Sequence, residues 1–287
     1  MIPYQSIVAW GNVVPWVDMR QVEQDLIISR ALIEIFSNKT LSDELRFRGG
    51  TALNKLHFPS PSRYSEDLDL VRTSAGPIGP ILDQLRGNLE PWLGRAKFSQ
   101  SPVAPKLLFQ VEAENGNDVP IRLKIEINTR EIEAFDRRVA IPLNVKNPWF
   151  SGETNISTFS REEMLATKLR ALLQRDKGRD LFDLAHALKV FPNLDLDLII
   201  TIIGHYHRLL SQSISRAQAQ ERMFRKLANP DLLSDVRPML PAAQAEALTL
   251  KTYEDIFQRV FESLVDRLPG KPWAKTTQMK EHFGISW

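Results

Sequence analysis

The sequence predicts an α/β protein of the α+β kind, with an N-terminal lobe of strands and helices followed by a helical lobe. Three observations predict it. Between residues 45 and 128, short strand-like runs alternate with helical stretches and with turns rich in Gly, Pro and Asn. After about residue 155, apolar residues recur at helical spacing instead. The chain has 287 residues, 43% hydrophobic and 25% charged, enough for a sizeable core in two lobes of ordinary globular composition. The lobes are expected over residues 1–155 and 156–287, with the junction between 145 and 158.

The elements follow in order. Gln21 to Phe36 reads as an amphipathic helix, with Val22, Leu26 and Ile33 on its apolar face. Arg46-Phe47-Arg48 is a short strand entering a Gly-Gly turn, and a helix follows from Thr51 to His57 with Thr51 as its N-cap. The prolines of Phe58-Pro59-Ser60-Pro61-Ser62 make a loop, and Tyr64 to Val71 returns as a strand. Ile78 to Trp92 is a helix. Leu107–Val111 and Val119–Asn128 form a strand pair around a turn at Asn115-Gly116-Asn117-Asp118. Ile121, Leu123, Ile125 and Ile127 alternate with Arg122, Lys124, Glu126 and Asn128, so this strand has one apolar and one polar face. In the second lobe, Ser160 and Glu163 have capping-box spacing and open a helix to about Arg175. Helices follow over 179–190, 196–210, 215–228 and 253–268.

Composition excludes several functions. The net charge is +2, with acids and bases balanced in both halves, so no bulk field marks a nucleic-acid binder. The chain has no cysteine, which removes disulfides and thiolate metal sites and fits a reducing cytoplasm. The start, MIPYQSIVAW, lacks the basic and long apolar regions of a secretion signal. The most apolar stretch, Leu198 to Ile203, is too short to span a bilayer. A cytoplasmic protein without a membrane partner is expected.

The run from Arg46 to Val71, RFRGGTALNKLHFPSPSRYSEDLDLV, carries the chemistry. Asp67 and Asp69 are spaced i, i+2, so on a strand they share one face. Two adjacent carboxylates repel, and a cation relieves the repulsion. Hard oxygen ligands of this kind suit Mg²⁺ together with phosphate oxygens and water. Upstream, Gly49 and Gly50 let backbone N–H groups approach a phosphate closely, and Thr51 adds a hydroxyl. Ser65 precedes Asp67 by two residues, on the same face. Lys55, one turn into the helix, either reaches the phosphates or is solvated. The combination points to a site that binds a nucleoside triphosphate (NTP) with its metal and moves a phosphorus-containing group.

This pattern resembles the nucleotidyltransferase superfamily that includes DNA polymerase beta, through Gly49-Gly50-Thr51 and Asp67-Leu68-Asp69-Leu70. The fuller string, with Thr51-Ala52-Leu53, Lys55, Arg63 and Ser65-Glu66-Asp67-Leu68-Asp69, resembles the narrower AbiEii/AbiGii (MenT-like) family of nucleotidyltransferase toxins of bacterial type IV toxin–antitoxin and phage-defence operons. The resemblance covers roughly residues 20–190. It implies a mixed sheet in the catalytic lobe, and Asp67 and Asp69 holding one or two Mg²⁺ ions. It also implies that Ser65 contacts phosphate and that a third carboxylate comes from a neighbouring strand. Glu126 is the best candidate for that carboxylate, completing the metal set or helping to deprotonate the attacking hydroxyl. A salt bridge to Lys124, on the same face, competes with that role.

A second block, Met164 to Leu184, matches the family too. Lys168 lies at the edge of the apolar stripe made by Leu165, Leu169, Leu172 and Leu173. It either snorkels to solvent or, as the resemblance implies, contacts the nucleotide phosphates. Asp180 and Asp183 share a helical face, and one of them is implied in the reaction. Asp183 is favoured, because Asp180 could instead cap or pair at the helix start. Arg208, Arg216, Arg222, Arg225 and Lys226 are candidates for a basic patch against the single acid Glu221. The implied activity is transfer of a nucleoside monophosphate to the 3′ end of tRNA, blocking translation, with a DNA-binding antitoxin as partner. Other acceptors, and NTP or RNA binding without chemistry, remain as alternatives.

Overall fold

The computed structural model describes residues 2–100, 104–114, 119–210 and 213–285. The expected turn at Asn115-Gly116-Asn117-Asp118 lies outside the described residues. The chain divides into two compact units, Met1–Ser160 and Arg161–Trp287.

The first unit is built on strands β1 (Leu45–Arg48), β2 (Asp67–Arg72), β3 (Lys97–Ser99), β4 (Lys106–Val111), β5 (Ile121–Asn128), β6 (Val139–Lys146) and β7 (Ser151–Thr158). Their order in one seven-stranded sheet is β3-β4-β5-β2-β1-β7-β6. β2 is parallel to β5 and β1 is parallel to β7, while the other pairs are antiparallel. The sheet is therefore mixed. Helix α1 spans Tyr4–Gly11, α2 Met19–Ser37 and α3 Lys39–Glu44, and a short α4, Gly49–Ala52, runs into a π-helical turn at Leu53–His57. Helix α5 spans Gly79–Leu93.

Alternation along the strands sorts the two faces. Phe47, Leu68, Leu70, Leu107, Phe109, Leu123, Ile125 and Ile127 are buried, and α2 contributes Val22, Leu26, Ile27, Leu32 and Ile35 to the core. Opposite them, Asp67, Asp69, Lys124 and Glu126 lie on the partly open face. The segment Tyr64–Glu66, expected as strand, stands outside β2. β6 and β7 are absent from the sequence reading. β6 is the outermost strand, which is where a residue without an N–H, such as its Pro142, is tolerated. β7 is polar over most of its length, so it lacks the apolar run that announces a strand.

The second unit is helical, with α6 (Arg161–Gln174), α7 (Gly178–Val190), α8 (Leu196–Leu209), α9 (Arg216–Leu227), α10 (Ala242–Glu246), α11 (Leu250–Ser263) and α12 (Thr276–His282). Leu165, Leu169 and Leu172 of α6 are buried with Ile199, Ile202 and Ile203 of α8. An aromatic cluster centres on Phe224, whose ring lies 5.1 Å from Phe261 and 5.8 Å from Phe257. The Ser215 side chain caps α9 in a reciprocal pair with Gln218.

Candidate active site

β1 ends at Arg48, and the chain turns sharply at Gly49, whose φ of +85° is open to glycine and strained for other residues. A Cβ on Gly49 would lie 2.3 Å from Asp69 Oδ2, so the missing side chain is what lets the Asp69 carboxylate sit on this backbone. A Cβ on Gly50 would lie 2.4 Å from Nη2 of the buried Arg63. The double glycine is thus a packing requirement from two directions.

Thr51 is not the N-cap. Arg48 holds that position, without a side-chain cap bond. The Thr51 hydroxyl donates to the Asp67 carbonyl at 2.6 Å and lies 2.8 Å from Ser65 Oγ. Its single proton is committed to that carbonyl, so Ser65 is the donor in the second contact. Asn54 fastens the loop to the turn. It donates to the Gly50 carbonyl at 2.9 Å and accepts from the Ser62 and Arg63 N–H groups at 2.7 and 3.2 Å. Lys55 neither lies free in solvent nor reaches over the glycines. Its ammonium donates to Asp25 at 2.9 Å and to Ser29 at 3.0 Å on α2, where the Trp10 and Trp16 indoles also donate to Asp25. A buried aspartate without such partners would be costly, and it captures the lysine.

The parallel register of β2 and β5 sets Asp67 beside Lys124 and Asp69 beside Glu126. Across the sheet, Lys106, Glu126, Asp69 and Arg48 are consecutive neighbours. Lys124 Nζ lies 2.8 Å from Asp67 Oδ2 and 3.8 Å from Glu126 Oε2, while Lys106 Nζ lies 3.0 Å from Glu126. Arg48 pairs with Glu131 at 3.0 Å. Burial pushes the Asp69 carboxyl above its ordinary pKa against the pull of Arg48, and the nearby Asp67 and Glu126 charges add to the rise. Burial alone would lower the Lys124 ammonium, but its bond to Asp67 and the surrounding carboxylates outweigh this and raise it.

Among the described residues, no three His, Asp or Glu side chains are gathered into a ready-made ion site. The expected set of Asp67, Asp69 and Glu126 stands on adjacent strands, with Lys124 in contact with Asp67 and Lys106 with Glu126. The donor set nonetheless suits Mg²⁺. It offers hard carboxylate oxygens on adjacent strands, and the Lys124 ammonium already stands in for a cation.

In the helical unit, Lys168 does not snorkel. It is buried, with Nζ 2.8 Å from Asp183 Oδ2 and 3.3 Å from Asp180 Oδ1. Arg175 grips Asp180 with two bonds, Nε to Oδ2 at 2.7 Å and Nη2 to Oδ1 at 3.0 Å. Both aspartates are fully buried. Burial would raise the Asp180 carboxyl, yet Lys168 and Arg175 overcome it and hold it below the usual carboxylate value.

The family model for the AbiEii toxin, a nucleotidyl transferase of type IV toxin–antitoxin systems, matches residues 30–263. This chain belongs to the AbiEii family. The match spans both the Gly49–Asp69 motif and the Lys168–Asp183 block. Among solved structures, MenT4, a nucleotidyltransferase toxin from Mycobacterium tuberculosis, aligns with a TM-score of 0.54 at 15% identity, covering 99% of each chain. JHP933 from Helicobacter pylori aligns at 0.49 and 17% identity, covering 94% of this chain and 97% of its own. A comparison with curated proteins returned no match. At 15% identity the likeness to MenT4 speaks for the fold alone, while the family model speaks for a nucleotidyltransferase toxin.

Sequence reasoning overlooked several residues that shape this AbiEii chain. Asn54 gives no motif signal, since its work is to join two loops. Asp25 follows Glu23 and Gln24 in α2, and nothing in that polar run marks it as the buried partner of Lys55 and two tryptophans. Arg175 marks only the end of a helix in the sequence, where nothing signals its two bonds to Asp180. The expected basic patch is reduced, with Arg208, Arg222 and Arg225 exposed and the other two drawn into contacts. Lys226 is buried on Asp176 and on the Arg175 carbonyl, Arg216 pairs with Asp266 at 3.1 Å, and Arg222 donates to the Leu173 carbonyl at 2.7 Å. Arg225 lies 3.6 Å from Glu221. No helix among the described residues is long and apolar enough to cross a membrane.

Proposed function

We propose that this AbiEii-family enzyme transfers a nucleoside monophosphate from an NTP to an acceptor hydroxyl and releases pyrophosphate. The observation that carries the reading is the β2–β5 register, which lines up Asp67, Asp69 and Glu126 beside the glycine turn on which the Asp69 carboxylate sits. Asp67 and Asp69, with Glu126, would hold Mg²⁺. When bound, that ion neutralises charge on the triphosphate and favours loss of pyrophosphate. The resemblance assigns the backbone of Gly49 and Gly50 to the phosphates, together with Ser65, whose proton would turn from Thr51 to a phosphate oxygen. The resemblance assigns Lys168 to the nucleotide phosphates and Asp183, or Asp180, to the reaction.

The acceptor in this reading is the 3′ end of tRNA, whose blockage stops aminoacylation and hence translation. The toxin–antitoxin assignment of the family supports an antitoxin partner, which we take to be a DNA-binding regulator. The test is transfer from α-labelled ATP, CTP, GTP and UTP to total tRNA with Mg²⁺, comparing wild type with D67A/D69A. Label on RNA from wild type alone supports the reading and reports the preferred nucleotide. Label on protein and none on RNA replaces tRNA by a protein acceptor. Equal labelling by both proteins removes the aspartates from the mechanism.

A further inference from the structure

We propose that Lys124 is a tethered counter-cation that occupies Asp67 in the resting enzyme and is displaced when metal and nucleotide arrive together. The inference rests on the reading of Asp67 as a metal ligand. Three carboxylates, Asp67, Asp69 and Glu126, stand on two adjacent strands, and bringing them together without a cation is unfavourable. Lys124 supplies that cation from within the sheet, 2.8 Å from Asp67 and 3.8 Å from Glu126.

Two features make this contact exchangeable. First, Lys124 and Asp67 are 34% and 31% exposed, so water and ions compete for both partners, and ion pairs of this kind are easily given up. The Lys168 cluster is the contrast, with side chains 8% and 0% exposed. Second, a lysine carries a compact charge on a flexible four-carbon stem, so it can leave Asp67 without any movement of β5. An ammonium and a divalent ion cannot both occupy the same carboxylate oxygen. A metal arriving alone must therefore displace Lys124 and leave it without a counter-charge. A metal arriving with a triphosphate brings the negative charge that the released ammonium needs. Lys124 thereby makes metal binding depend on nucleotide, and its own role is positioning and timing, outside the bond-making step.

Mn²⁺ binding to the full chain, followed by electron paramagnetic resonance of the free ion with and without a non-hydrolysable NTP, tests this. K124M is expected to bind Mn²⁺ about 10-fold more tightly than wild type without nucleotide, the scale of one partly screened charge contact. The gain in affinity on adding nucleotide should shrink in the same variant. K124R, which keeps the charge, should behave as wild type. The proposal is overturned if K124M binds Mn²⁺ no more tightly than wild type while D67N weakens binding, because Asp67 is then a ligand that Lys124 does not guard. If D67N leaves Mn²⁺ binding unchanged, the metal assignment itself fails and the proposal with it. Should K124M not fold, a wild-type crystal structure with Mn²⁺ and the NTP analogue decides. Lys124 Nζ away from Asp67 supports displacement, and an intact 2.8 Å contact refutes it.

Discussion

Two clusters of opposite charges dominate this protein, and they differ in how far they are withdrawn from water. On the sheet face, Lys124 and Lys106 neutralise Asp67 and Glu126 with side chains about a third exposed. In the helical unit, Lys168, Asp180 and Asp183 are buried, and Arg175 closes the group from a more exposed position. The chemistry of the pairs is similar, but the consequence of breaking one is not. A solvated carboxylate that loses its lysine regains water or binds another cation. A buried one that loses its partner is left as an uncompensated charge. The sheet face is therefore suited to exchanging ligands, and the helical cluster to holding one geometry.

The largest expected effects come from breaking one pair in each cluster. Asp183→Asn leaves Lys168 with reduced compensation in a buried site and should lower stability by about 3–5 kcal/mol in denaturant unfolding. Asp67→Asn should change stability by less than about 1 kcal/mol. Its transfer rate, however, should fall by more than the ~10–100-fold that follows loss of a residue one step removed from a metal. If Asp67→Asn unfolds the protein, or Asp183→Asn leaves its melting point unchanged, the contrast between the clusters is wrong.

Next in size is Gly49→Ala. A side chain at positive φ costs about 1–3 kcal/mol, and here its Cβ would also collide with the Asp69 carboxylate. Both thermal stability and transfer activity should drop. A fully active Gly49→Ala enzyme would show that Asp69 does not need its seat on the turn.

The dependence on acid sharpens the same comparison. Asp180 titrates below its ordinary value in the folded protein, so its contribution to stability is complete above the unfolded carboxylate pKa of about 4 and is lost as pH falls through the lowered folded value. Unfolding curves collected downward from pH 5 should show this loss in wild type and a shallower slope in Asp180→Asn, which will be less stable at neutral pH. An unchanged slope would mean that Lys168 and Arg175 do not hold the Asp180 charge. The smallest effect is reserved for Arg225→Ala. Its pair with Glu221 is well exposed, and melting should stay within about 0.5 kcal/mol of wild type.

Local patterns made much of this legible in the sequence. The i, i+2 spacing placed Asp67 and Asp69 on one face, because side chains alternate on any strand. The alternation in residues 121–128 announced β5, and helical spacing announced α2 and α6 to α9. The ends of these elements fell within a few residues of those observed. β6 and β7 escaped notice because Pro142 and a polar run remove the apolar signature of strands. Thr51 was misread as a cap, since a hydroxyl before a helix gives the same signal whether it faces its own backbone or the carbonyl of a residue sixteen positions away.

Local sequence marks the residues that could do chemistry here, namely the paired aspartates, the double glycine, the polar face of residues 122–128, and the lysine and aspartates of α6 and α7. Which charges meet follows instead from how distant segments pack. Strand register set Lys124 against Asp67 and Lys106 against Glu126, and helix packing took Lys55 to Asp25 and Lys168 to two buried aspartates. The reason is that a side chain's type and face follow from local backbone geometry, whereas its counter-charge comes from a segment distant in the chain. Which counter-charge it meets depends on register, packing and access to water, all of which arise only when the segments are brought together.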